Sequence, residues 1–371
     1  MAKFTKRKNL VARTHKTLRG ATQLTGITII GGDFTVEGDL RARSPILCMG
    51  RITVHGDVKA GVVVAGCGLD VRGDLVATEL KLYGGRFNAG IDFDEVAREI
   101  LTRLPKRWKM DDDLLMDHQL LVDEETLGEL VGFEYAGQNA LDVKGSCTCG
   151  TVFAGAPVHV GGPLIAQEID AFGSSVSAQG VTVYGSLICG SIDALKRVFI
   201  GEDLDCVDAD CPQLEVCGKA DVQGTLLVTG ADSLISDDHD GWIASTPAEF
   251  VEAGHDPLEN VAPEEVRPSL VCGRLKAGSV TAAGSIRVYE SIDCTFYLRA
   301  HRSILAGGVI ETGKQHGIMA GIGVPRNLWL KTGYVCAAEK PKRVPTGVFR
   351  PLGRSRAGRV PKPAGLPRAR G

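Results

Sequence analysis

"VHGDVKA", residues 54–60, decides how this chain is read. Near-copies flank it: "VEGDLRA" at 36–42 and "VRGDLVA" at 71–77. Within each copy apolar and polar residues alternate, so that Val54, Val58 and Ala60 share one face and His55 and Lys59 the other. A period of two marks short strands. The intervening Gly-Asp pairs (Gly38-Asp39, Gly56-Asp57, Gly73-Asp74) read as bends, where glycine accepts backbone angles that other residues resist.

Looser copies follow at 143–149 (VKGSCTC), 160–166 (VGGPLIA), 183–189 (VYGSLIC), 222–228 (VQGTLLV) and 271–277 (VCGRLKA), with Gly145, Gly185 and Gly273 at their bends. Further units follow at 282–288, 288–294 and 300–306. Starts fall near multiples of six residues, which is the signature of a solenoid. The fold expected is all-β: a parallel β-helix, three short strands to a coil. Parallel crossovers favour a right-handed coil. A glycine-rich antiparallel protein explains the constant six-residue step less well.

Composition agrees with a narrow, repetitive interior. The chain has 371 residues, 47 of them glycine, and only 5% are aromatic, whereas compact cores lean on large aromatic side chains. The last position of successive units is Ala42, Ala60, Ala77, Cys149, Ala166, Cys189, Ala277 and Cys294. Cysteine alternates with alanine there, so the slot reads as inward and small, with cysteine as a small hydrophobe. The eleven cysteines show no paired CxxC knuckles of a structural zinc site. Neither metal nor cofactor is expected, and reduced thiols suit the cytoplasm.

Seven units follow from the pattern: a basic arm at 1–20, solenoid at 21–90, a helical insertion at 91–137, solenoid at 138–236, a loop and helix insertion at 237–268, solenoid at 269–337, and a disordered basic tail at 338–371. The first insertion contains "FDEVAREILTRL", with apolar residues at helical spacing; the second contains "STPAEFVEAG", which opens like a capped helix. Net charge is −3, but the arm carries seven basic residues and no acid, and the tail ten basic residues and one acid. The body between them therefore stands at about −19. Arg350, Arg354, Arg356, Arg359, Arg368 and Arg370 of the tail are candidate contacts to an anionic partner, lipid or nucleic acid. No run of 18 apolar residues marks a membrane span.

No catalytic signature is present: there is no GxSxG, HExxH or Walker loop. His55, His159 and His301 fall at outward places of the repeat without an evident carboxylate partner. The Val-x-Gly-Asp-Leu-x-Ala units at 36–42, 54–60 and 71–77 resemble the repeats of bactofilins, polymer-forming cytoskeletal proteins of bacteria. The resemblance implies a non-enzymatic scaffold that stacks end to end without nucleotide. The length of the chain and the two insertions depart from that family's pattern. A soluble protein-binding module, such as a toxin-neutralising immunity protein using the insertions as contact surface, is the alternative. The expected partner is therefore another copy of the chain or one protein.

Overall fold

The computed structural model describes residues 4–86, 134–135, 138–171, 173–229, 268–314, 316–322 and 324–352. The chain divides into two compact units, 1–184 with 188–191, and 185–187 with 192–371. Each is a parallel β-solenoid.

The first unit is built from three-strand coils. On side one, Thr5–Arg7 pairs with Thr22–Leu24, which pairs with Leu40–Ala42 and then with 58–60. On side two, Leu10–Ala12 pairs with Thr28–Ile30 and then with Ile46–Cys48. On side three, Lys16–Leu18 pairs with Phe34–Val36 and then with Arg51–Val54. All of these pairings are parallel, and partners lie 17 or 18 residues apart, as in Thr5↔Thr22 and Thr22↔Leu40. One coil of sequence thus closes one turn of backbone, and strands stack about 4.8 Å apart.

The register survives a long excursion. Leu75 pairs with Cys147 and Ala77 with Cys149, so the coil resumes in phase after the first insertion. In the second unit Leu214 pairs with Leu270 across the second insertion. The helices expected at 91–137 and 237–268 lie outside the described residues, except that Glu134–Tyr135 forms a short antiparallel pair with Gly85–Arg86.

The core is the stack of inward residues. Phe34, Val36, Ile52, Val54, Leu75 and Leu80 are fully buried, each sitting above its counterpart in the neighbouring coil. Side two departs from strict alternation. Ile29, Leu47 and Val64 occupy outward places of the strands and are buried as well.

Two expected boundaries move. Residues 5–18 are not an arm: their three strands form the first coil. Lys6 stands at an outward place, Leu18 turns in and is buried, and Arg7 and Lys16 occupy the columns that Leu24 and Phe34 fill in the next coil, so charge at inward places hid the strands. The tail also contributes structure. Val348–Pro351 pairs in parallel with Tyr334–Ala337. Leu352 packs against the buried cluster of Leu305, Tyr334 and Cys336.

The alanine and cysteine slot is broader than the sequence suggests. Ala42, Ala60, Ala77, Cys149, Ala166, Cys189, Ala277 and Cys294 are all buried. Yet Leu24 pairs with Ala42, Val183 with Ala166 and Val222 with Ala277 in the same columns. A larger side chain fits wherever the next coil supplies a small one.

Candidate functional site

Three features of the surface carry chemistry: the bends, the outward columns and the end of the first coil.

At the bends, each aspartate tethers the next coil. Asp39 Oδ1 accepts the Asp57 amide (3.2 Å), and Asp57 Oδ1 accepts the Asp74 amide (3.0 Å). Asp74 Oδ1 then accepts both the amide (2.7 Å) and the hydroxyl (2.9 Å) of Ser146. Those bonds from the Ser146 amide and hydroxyl hold the Asp74 carboxyl below the usual carboxylate range. The second unit repeats the device, with Asp203 accepting the Lys219 amide and Asp208 the Thr225 amide, both at 2.7 Å.

The glycines of these bends serve that tether. None of Gly38, Gly56, Gly73, Gly145 and Gly273 has a positive φ, contrary to the conformational role expected from the sequence. Instead, a Cβ on Gly56, Gly73 or Gly145 would overlap the carboxylate of Asp39, Asp57 or Asp74 respectively. At Gly38 and Gly273 a Cβ would meet backbone at 2.7 Å. Glycine is required by close approach between coils.

The outward residues form columns one strand apart. On side three of the first unit the column reads Thr17, Thr35, Thr53, Asp70, Asp142, His159, Ser177. His159 Nδ1 lies 2.9 Å from Ser177 Oγ, and Asp142 is the next member. A nucleophilic serine needs imidazole, carboxylate and oxyanion donors acting together. Here Asp142 Oδ1 accepts Lys144 Nζ at 2.8 Å, and Ser177 Oγ also reaches the Val158 carbonyl at 3.4 Å. Arg51 binds Asp70 (2.6 Å) and the Asn139 carbonyl (2.7 Å), tying the same side across the insertion. His55 and His301 are exposed.

All eleven cysteines are free, and ten are buried. Burial pushes the Cys48, Cys211 and Cys294 thiols up to about 12 and those of Cys217 and Cys336 to about 11. Cys147 is raised first by its hydrogen bond with Cys149, whose sulfur lies 3.9 Å away. Protonated thiols of this kind are poor nucleophiles and poor metal ligands. Among the described residues, no group of three or more His, Cys, Asp or Glu is placed to hold a metal ion.

The end of the first coil is open among the described residues. Thr5–Arg7, Leu10–Ala12 and Lys16–Leu18 pair on one side only. The Thr5, Leu10 and Lys16 amides donate into the second coil, to Ala21, Ile27 and Asp33. The Arg7, Ala12 and Leu18 carbonyls accept from it, from Thr25, Gly31 and Glu37. In a parallel strand the alternate residue points its N–H and C=O the other way. Lys6, Val11 and Thr17 therefore face away from the solenoid. Leu10 and Ala12 are only half-buried, whereas their partners Thr28 and Ile30 are fully covered.

No family model, no curated protein and no solved structure matches this chain. The solenoid is therefore established by its strand pairing alone.

Of the tail arginines, Arg350 sits in the last paired strand, its guanidinium 4.8 Å from the centre of the Tyr334 ring. Arg354, Arg356, Arg359, Arg368 and Arg370 lie outside the described residues. Sequence reasoning expected an exposed terminal coil but missed that it lies within 1–20, because the basic residues there read as solvated arm. The signal was available in Leu10, Ala12 and Leu18, which keep the spacing of the later coils. Among the described residues, no helix is long and apolar enough to cross a membrane.

Proposed function

We propose that this protein is a non-enzymatic cytoplasmic scaffold that assembles by end-on strand pairing through its first coil. The observation that carries the reading is the one-sided pairing of Thr5–Arg7, Leu10–Ala12 and Lys16–Leu18. A row of outward N–H and C=O groups templates the addition of another strand. Val11, 48% exposed, and the half-buried Leu10 and Ala12 add apolar surface that a stacked coil would cover. The basic charge of this end disfavours pairing with its own like-charged copy. It favours a contact in which the first coil meets a different surface of the next molecule. The resemblance of the repeats to bactofilins points the same way, and the free, buried thiols suit a reducing compartment.

Proline tests the idea without touching the internal ladder. The amides of Lys6, Val11 and Thr17 make no bond to the second coil, so Lys6→Pro, Val11→Pro and Thr17→Pro remove only the outward donors. Sedimentation velocity of the wild type should show mass rising with concentration. In salt high enough to screen contacts between charged sides, the triple variant should remain monomeric while melting near the wild-type temperature. If the triple variant melts early, Val11→Pro alone serves, and it should weaken assembly in the same direction. A wild type that stays monomeric at all concentrations, or a folded variant that assembles as the wild type does, contradicts the proposal.

A further inference from the structure

The side-one column of the first unit begins Lys6, Gln23, Arg41, Lys59. The three cations are exposed, and no acid interrupts them. The guanidinium of Arg41 is braced over the Phe4 ring at 4.3 Å. In the second unit a different outward column reads Asp205, Asp221, Lys276, Asp293, Glu311. Asp205, Asp293 and Glu311 are exposed. Asp221 is shared between Lys219 (2.8 Å) and Lys276 (3.3 Å).

We infer that the Lys6–Lys59 column of one copy docks laterally against the Asp205–Glu311 column of a second copy. This deepens the self-association reading by adding a side contact to the end contact. Both columns are strand-spaced, about 4.8 Å per member, so their charges can match without distortion. The interruptions match too. The basic column has one neutral member, Gln23, and the acidic column has one cation, Lys276. Sliding one against the other so that Gln23 faces Lys276 sets Lys6 against Asp221, Arg41 against Asp293 and Lys59 against Glu311. Running the second copy in the opposite direction sets Lys6 against Asp293, Arg41 against Asp221 and Lys59 against Asp205. In either direction every cation meets an acid and no like charges meet. A uniformly charged polyanion would use the basic column alone and leave the acidic one unmatched.

The pairs are exposed, so the contact is screened by salt and each pair is individually weak. Two variants test it: Lys6→Glu with Arg41→Glu and Lys59→Glu, and Asp205→Lys with Asp293→Lys and Glu311→Lys. At low salt each variant alone should associate laterally about tenfold more weakly than the wild type, or less still. An equimolar mixture should recover association, because the first variant keeps the acidic column and the second keeps the basic one, and these two unaltered columns can still meet. Wild-type lateral association should fade as salt is raised. The end-on claim is read separately with Val11→Pro and Thr17→Pro, which leave both columns intact and should leave lateral pairs. Unchanged association in either charge variant, or no recovery in the mixture, overturns the lateral contact. So does a result in which the first variant loses only the binding of a fluorescent duplex DNA, since the column would then serve nucleic acid.

Discussion

Gly73→Ala is expected to destabilise the first unit by about 3 kcal/mol, at the upper end of what overpacking costs. The added methyl group would overlap the Asp57 carboxylate and would also lie 3.0 Å from Asp57 N and from the Gly56 carbonyl carbon. Backbone of the neighbouring coil cannot swing aside as a flexible side chain can. The collision has a diagnostic partner. Asp57→Ala alone removes the bond to the Asp74 amide and should cost about 1 kcal/mol. Placed together with Gly73→Ala, the same change removes the atom being struck. The double variant should therefore be no less stable than Gly73→Ala alone, a coupling of about 1–2 kcal/mol. Urea denaturation of the four members of the cycle measures it. Simple additivity would mean that the Asp57 carboxylate is not what excludes the methyl group, and the account of the bends as built around that carboxylate would fail.

The second large effect is expected inside the solenoid, at adjacent slots of one column. Ala77 and Cys149 are partners in register and both are buried. Leu24 shows that leucine is accepted in this column when alanine, here Ala42, lies in the next coil. Ala77→Leu and Cys149→Leu should therefore each cost about 1–2 kcal/mol, since Ala60 and Ala166 lie beyond them. Together the two leucines compete for the same space about 4.8 Å apart, and the pair should lose at least about 1 kcal/mol beyond the sum. Cys149→Ala should cost only about 1 kcal/mol, the small cavity left by the sulfur. Thermal melts with and without chelator discriminate. If Cys149→Ala were as damaging as the leucine pair, or if chelator lowered the wild-type melting temperature, the cysteine would be a ligand and not packing.

The solenoid was legible because its signal is local and repeated. Val54, Val58 and Ala60 announce strand and bend, and the 17- or 18-residue step announces the coil. Three things were less legible, each for a physical reason. The Gly-Asp pairs identified a bend but not its mechanism, because the atom that excludes a Cβ belongs to a residue one coil earlier. Leu10, Ala12 and Leu18 were masked by the basic residues around them, two of which, Arg7 and Lys16, stand at inward places of the columns. Ile29, Leu47 and Val64 broke the alternation that separates inside from outside, so a period-two reading could not assign both faces of side two. Of the candidate site, the basic charge at the start of the chain was visible. The complementary columns were not, because Arg41 and Lys59, or Asp221 and Lys276, become neighbours only once the register is known.

Amide hydrogen exchange at Lys6, Val11 and Thr17 tests the central claim most directly, since those N–H groups are the ones that would bond to another copy. At concentrations where the protein is monomeric they should exchange freely, while the Thr5, Leu10 and Lys16 amides, already bonded into the second coil, are protected. As assembly sets in, protection should rise at Lys6, Val11 and Thr17 together. If sedimentation shows assembly while these three amides continue to exchange as in the monomer, the first coil is not the joining edge and the end-on account is wrong.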